Sequence, residues 1–147
     1  MSFHKDINRV TANMKNKIFS IFARGMQKLI DDSAGTQKIQ VVVLNGETIT
    51  DVERMQEYGF SSVPLNDAET VIGFINGSKE QGLILCVNDR RYRPTGLADG
   101  DVIVYDYRGN KITCKDSGIE LECVNGNKIE MVSGEVKVNG TNLEVLI

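Results

Sequence analysis

Residues 109–147 carry a repeat that leaves few options for the fold. Glycines recur at Gly109, Gly118, Gly126 and Gly134, spaced nine, eight and eight residues apart. Between them lie GNKITCKDS, GIELECVN, GNKIEMVS and GEVKVNG, followed by TNLEVLI, and GNKI occurs twice, at 109–112 and 126–129. The repeating unit is one short strand plus a turn. Within the units apolar residues alternate with polar ones: Ile112 and Cys114; Ile119, Leu121 and Cys123; Ile129 and Met131; Val136 and Val138; Leu143, Val145 and Ile147. Successive side chains on a strand point to opposite faces, so the pattern predicts a meander with one apolar and one polar face. A sheet this narrow has nothing of its own to cover the apolar face, and its edges are open to other strands. The repeat therefore calls either for identical strips associating around a symmetry axis or for the rest of the same chain to fold over it.

Upstream the period differs. Ile7, Val10, Met14, Ile18, Ile21 and Phe22 follow steps mostly of three and four, with Lys5, Arg9, Lys15 and Lys17 around the remainder. That spacing predicts an amphipathic helix over 5–22, suited to a partner, to the chain's own domain or to a membrane surface. From Gly25 the pattern becomes strand-like. MQKLIDD and KIQVVVLNGE flank the turn-rich SAGTQ, and ETVIGFIN and QGLILCVND flank GSKE, while ETITDVERMQEYGF reads as partly irregular. With DVIVYDY these make five short strands, which predicts a small antiparallel barrel or sandwich; an OB-like barrel has a suitable strand count. The expected division is a helix over 1–23, the barrel over 24–108 and the strand repeat over 109–147.

Composition narrows the function. The chain has 147 residues, enough for one domain with an appendage, and its 25% charged and 41% apolar residues are typical of a soluble globular protein. No run approaches the roughly 20 apolar residues that span a bilayer. MSFHKDINRV lacks the apolar core and cleavage site of a secretory signal, so synthesis and initial residence in the cytoplasm are expected. Cys86, Cys114 and Cys123, an odd number without CxxC spacing, are expected as reduced thiols acting as small buried hydrophobes. His4 is the only histidine, which removes His-dependent triads and most zinc arrangements. No GxSxG, HExxH, GxxxxGK[ST] or GxGxxG occurs, and no carboxylate stands in a context that would tune it as an acid. Asp99 and Asp101 flank Gly100 without the spacing of a calcium loop and read as a turn before a strand. The expectation is a protein that is not an enzyme, with no catalytic residues, no metal and no cofactor.

The stretch NDRRYRPTGLADGD, residues 88–101, stands out in a chain of formal net charge −3. Asp89, Arg90, Arg91, Tyr92, Arg93 and Pro94 form its centre. On an OB-like barrel, Arg90, Arg91, Tyr92 and Arg93 could grip single-stranded nucleic acid, arginine on phosphate and tyrosine on a base. They could equally anchor a subunit contact, where arginine and tyrosine are both enriched, or form an exposed loop fixed by Pro94 and Gly96. The acidic balance and 6% aromatic content, with no tryptophan, weigh against nucleic acid.

Taken in order, MQEYGFSSVP, a hairpin and then VNDRRYRPTGLADGDVIVYDYRGNKI resemble the baseplate assembly, or central spike, proteins of Mu-like contractile-tail phages, the protein V-like spike family. The most specific part is Asp89 to Pro94, then Leu97, Gly100, Asp101 and Val102, then Tyr105, Asp106, Gly109 and Ile112. Looser similarity runs from about Arg24 to Ile119. The resemblance implies a mainly β homotrimer: an N-terminal helix, an OB-fold-like barrel that joins the tail hub, and a triple-stranded, intertwined β-helix needle. The needle would pierce the host cell envelope on sheath contraction. Ile112, Ile119, Leu121, Ile129, Met131, Val136, Val138, Leu143 and Val145 would then form the trimer core, and Asp89–Pro94 a loop or interface signature. The implied location is the virion tail baseplate or a tail-like particle, with assembly in the host cytoplasm and no nucleic-acid partner.

Two departures are visible. Spikes of this kind often end in a His-x-His motif that binds iron, whereas this sequence has no histidine after His4 and reads LEVLI at its end. The expectation is no metal site, with either a separate tip-capping protein or a blunt end. No residues are available for the cell-wall-degrading domain that some related spikes carry.

Overall fold

A computed structural model of the chain describes residues 7–12, 14–15 and 21–140. Residues 7–12 and 14–15 are helical. The helix expected through residue 22 does not extend that far. Ile21 lies in a bend and Phe22 already opens β1, Phe22–Asp31, held to the sheet where Phe74 N donates to Ile21 O at 2.7 Å. Backbone pairing of Phe22 with Gly73 overrides its place in the helical period. Among the described residues no helix is long and apolar enough to cross a membrane.

β1 is followed by β2 (Gln37–Val43), β3 (Thr48–Arg54), β4 (Glu69–Phe74) and β5 (Gly82–Asn88), which close into a barrel of order β1-β2-β3-β5-β4. This is the arrangement of an OB barrel. All neighbours are antiparallel except β3 and β5, whose short parallel pairing of Glu53 with Leu83 and Arg54 with Ile84 completes the ring. β1 serves both β2 and β4, and Gly25 sits where it turns from one to the other. A Cβ there would meet Val41 Cγ1 and the Val42 carbonyl oxygen at 2.6 Å, so only glycine allows the backbones this close. Alternation in β2 sends Ile39, Val41 and Val43 inward to meet Ile49, Val52, Ile72, Phe74 and Ile84. Each such side chain contributes roughly 1.5–3 kcal/mol when fully buried.

The sequence reading of the barrel needs one exchange. Within ETITDVERMQEYGF, expected to be partly irregular and not counted as a barrel strand, Thr48–Arg54 form strand β3 and the remainder is irregular. The inward residues of β3, Ile49 and Val52, are three apart, because Ile39 pairs with Val52 but Val41 pairs with Ile49. Asp51, at φ 58°, accommodates this bulge, which breaks the two-residue period in the sequence. DVIVYDY, counted as the fifth barrel strand, supplies instead β6 (Val102–Tyr105) of a second sheet.

That sheet is a meander of β6, β7 (Lys111–Lys115), β8 (Gly118–Glu122), β9 (Lys128–Val132) and β10 (Glu135–Asn139), each strand antiparallel to the next. The chain divides into two compact units, Met1–Arg91 with the barrel and Tyr92–Ile147 with the meander. In the second unit the two GNKI segments occupy equivalent turns. Asp106 N donates to Asn110 O at 3.0 Å, Cys123 N donates to Asn127 O at 2.9 Å, and Asn110 Oδ1 accepts from Val124 N at 3.0 Å, tying one turn to the next. Asp106 accepts from Arg108 N, Asn110 N and Asn110 Nδ2 at 2.9, 3.0 and 2.7 Å. Those bonds, that of the Asn110 side chain foremost, hold its carboxyl below the usual aspartate range.

The residues between β3 and β4 form a long excursion that is nevertheless pinned. Arg54 donates to Gln37 Oε1 at 2.8 Å and to Ser62 O at 2.7 Å, and Gln37 Nε2 donates to Asp32 at 2.6 Å and to Ser62 O at 3.0 Å. Gln27, fully buried, donates to Leu65 O at 2.6 Å. These polar side chains satisfy loop carbonyls from inside the barrel wall, so the loop is ordered without an apolar core of its own.

Candidate functional site: an apolar strand face and an arginine block

The register of the meander brings the alternating residues of the repeat onto one face. One row runs Val104, Ile112, Leu121, Ile129, Val138, and the next runs Val102, Cys114, Ile119, Met131, Val136. Ile112, Ile119, Leu121, Ile129, Met131, Val136 and Val138, the residues expected at a trimer core, thus lie together. Leu143 and Val145 lie outside the described residues. Val102 and Val104 join the same face and were missed, because their strand was assigned to the barrel; their alternation with Ile103 and Tyr105 was the available signal. Apart from half-buried Leu121 the face is open in the single chain, its exposed apolar residues ranging from 38% at Ile119 to 67% at Val136.

The opposite face is charged and cross-linked. Lys111 pairs with Glu122 at 3.0 Å, Lys115 with Glu120 at 3.2 Å, and Lys128 with Glu120 at 3.4 Å and Glu130 at 2.9 Å. Glu120, bonded first to Lys115 and then attracted by Lys128, is held below the usual glutamate range, and Lys128 is raised chiefly by its bond to Glu130. A surface that forms ion pairs across strands is finished as it stands, whereas the apolar rows are not.

The expectation of buried thiols is not met. Cys86, Cys114 and Cys123 are free and exposed in the single chain. Cys114 stands in an apolar row that nothing covers here, Cys86 is on the outer side of β5, and Cys123 lies in the turn before Asn127.

The arginine block divides between the two units. Asp89 receives Arg91 Nε at 2.8 Å and Nη2 at 2.7 Å as a two-pronged clamp, and Arg91 Nη2 also donates to Asn66 O at 2.8 Å. Bonding to the Arg91 side chain holds the Asp89 carboxyl below the usual aspartate range. Arg90 Nε lies 3.0 Å from Glu69 Oε1, and Arg24 reaches the same carboxylate at 3.6 Å. Arg93 Nη1 donates to Pro94 O at 3.2 Å. Tyr92 meets Tyr107 edge-on at 5.9 Å, and the Arg108 guanidinium lies 4.4 Å from the Tyr107 ring centre. Glu69, Asn66 and Tyr107 were not foreseen, since each is distant in sequence from the residue it holds.

This geometry disfavours a nucleic-acid site. Arg90 and Arg91 are committed to carboxylates, and Tyr92 has a ring neighbour. On an OB barrel the usual binding surface is β2, β3 and the loops flanking them. Residues 32–54 and 75–81 contain no aromatic side chain, and Asp32, Glu47, Asp51, Glu53 and Glu80 outnumber Lys38, Arg54 and Lys79. Among the described residues no group of three or more His, Cys, Asp or Glu is placed to hold a metal ion.

A closed OB-type barrel followed by a strand meander, with one apolar face left open and the other cross-linked by ion pairs, has the makeup of a structural protein. Comparison with known proteins agrees unit by unit. Residues 24–91 match the family described as Bacteriophage Mu Gp45, N-terminal, and residues 86–144 match the Phage baseplate V C-terminal trimerisation domain. The chain is 37% identical over 112 residues to the baseplate puncturing device gp45 of Escherichia phage Mu, covering 76% of this chain and 57% of that protein. It is 30% identical over 112 residues to the Mu-like prophage FluMu protein gp45 of Haemophilus influenzae, covering 76% and 61%. The chain thus spans less than two thirds of either relative. It belongs to the Mu-like phage baseplate gp45 family.

Proposed function

We propose that this chain is the central spike subunit of a Mu-like contractile-tail baseplate. Three copies associate through the apolar face of β6–β10, intertwining as a β-helical needle, with the barrel toward the tail hub and the needle toward the host envelope. The observation that carries this reading is the pair of apolar rows from Val104 to Val138 and from Val102 to Val136, open in one chain and lying within the segment that matches a trimerisation domain. The charged face, with its Lys–Glu pairs, is then the outer surface of the needle. Puncturing is what the phage Mu relative is named for, and it suits a shaft whose strands from three chains share one core.

In this reading β6 belongs to the needle, and Asp89–Pro94 is the segment that leaves the barrel and starts it. The Asp89–Arg91 clamp and the Tyr92–Tyr107 contact fix that segment on either side, a positioning role for the arginine block. Sedimentation equilibrium of the full chain tests the assembly: a trimer is expected, and a monomer at micromolar concentration overturns the reading. A labelled single-stranded oligonucleotide should show no salt-sensitive binding; tight binding lost on Arg90→Ala with Arg91→Ala would restore the nucleic-acid alternative.

A further inference from the structure

The barrel unit carries two apolar surfaces that the spike reading leaves unused. The first is the helix at the N-terminus, where Ile7, Val10 and Met14 share one face and are 45%, 56% and 59% exposed. Most of the stability of a helix in a protein comes from packing of its apolar face. The second is a strip on the outside of the barrel. Leu85, the bulged residue of β5, lies across Gly73, where a Cβ would come within 3.2 Å of its Cδ1, and Phe22 is the cross-strand neighbour of Gly73. On its other side Leu85 borders a hollow of about 330 Å³ lined by Met55, Phe60, Cys86 and Val87. Phe22, Leu85, Met55 and Phe60 are all more than half exposed. The pinned loop after β3 therefore displays apolar side chains on an ordered frame.

We propose that in the assembled trimer the N-terminal helix of each copy seats its Ile7–Val10–Met14 face on the Phe22–Leu85–Met55–Phe60 strip of a neighbouring copy. The inference rests on the trimer reading above. Two features point to a neighbour as the occupant. Within one chain both surfaces are open together, so neither covers the other. Their charges are also complementary: residues 1–17 hold Lys5, Arg9, Lys15 and Lys17 against Asp6 alone, whereas Glu53 and Glu57 outnumber Arg54 beside the strip. Opposite charges at a rim fix register and partner choice around an apolar centre. Arg9 and Lys15 lie off the apolar positions on a helical projection, and Lys15, nearest the edge of that face, can reach such a rim while Ile7, Val10 and Met14 face inward. Barrels brought together by the needle would each be clasped to the next.

Native Cys86, exposed beside Leu85, is a built-in reporter. The full chain is prepared with Val10→Cys, Cys114→Ala and Cys123→Ser, oxidised, and run on non-reducing denaturing gels, while sedimentation equilibrium is measured on the same preparation before oxidation. A helix seated on the strip of a neighbour gives disulfide-linked dimers and trimers that disappear on reduction, in the Cys86→Ser version and when Val10 is left native. Met14→Cys gives a second position against one unfortunate side-chain angle. Cross-links that persist in the Cys86→Ser version mean that helices pair with one another, and a disulfide confined to monomers means that the helix folds back on its own barrel. Either result, or no cross-link at either position in a preparation that is trimeric, overturns the proposal. A monomer by sedimentation instead refutes the trimer reading itself.

Discussion

Ile129 is the most informative position on the apolar face, because it lies in an inner strand with Leu121 and Val138 beside it in the same row. The single chain leaves 39% of it exposed, so about that fraction remains to be buried on assembly. Full burial of such a side chain is worth roughly 1.5–3 kcal/mol, which makes the share gained on assembly about 0.6–1.2 kcal/mol per chain and about 2–3.5 kcal/mol per trimer. At about 1.4 kcal/mol per factor of ten, Ile129→Ala should weaken trimer association by about 30- to 300-fold, before any cost of the cavity left behind. Sedimentation equilibrium in a fixed urea concentration that partly dissociates the wild type brings this change into range. Lys137→Ala is the control, on the opposite face and in an exposed pair with Glu135 at 3.4 Å, and should shift association little. Equal association of Ile129→Ala and wild type, with weakening by Lys137→Ala, would reverse the faces and refute the assignment.

Other expectations concern the single chain. Gly118, at φ 138°, sits where a Cβ would collide with the Met131 carbonyl oxygen, so Gly118→Ala should force β8 from β9 and lower the urea midpoint by an amount corresponding to about 2 kcal/mol or more. Arg54→Met removes the bonds to Gln37 and Ser62 and should speed chymotryptic cutting at Tyr58 and Phe60 at least several-fold, leaving the barrel core folded by circular dichroism. Asp89 has a depressed carboxyl, so its contribution is complete above the ordinary value of 3.8 and is lost as pH falls below it toward the folded-state value. The acid limb of wild-type stability should accordingly be steeper below pH 3.8 than that of Asp89→Asn, which has no carboxylate left to titrate; superimposable acid limbs would remove the clamp from the account.

The parts legible in the sequence were those governed by local period. Alternation from Ile112 to Val138 specified both the strands and the face they share, because each strand pairs only with its sequence neighbours. β3 was not legible, since the bulge at Asp51 changes the spacing of Ile49 and Val52 from two to three, and period was the only signal available there. DVIVYDY was legible as a strand but not as a member of the second sheet, because alternation identifies a strand without naming its partner. The arginine block was visible as composition, yet its role depended on Glu69 and Asn66, residues 21 and 25 positions away, which only the closed barrel brings to Arg90 and Arg91.

The paired turns at Asp106–Asn110 and Cys123–Asn127 bear on how such a shaft acquires its length. Asn110 Oδ1 holds the turn that carries Asn127, and the GNKI segments recur at 109–112 and 126–129, so the two turns share both their sequence and their backbone closure. A block from one Asn-Lys-Ile to the next could therefore be duplicated or removed while leaving the strand partners at both junctions unchanged. Extension then needs no new joint, and reach becomes a quantity set by copy number, adjustable in steps of one hairpin without redesign of the barrel that carries it.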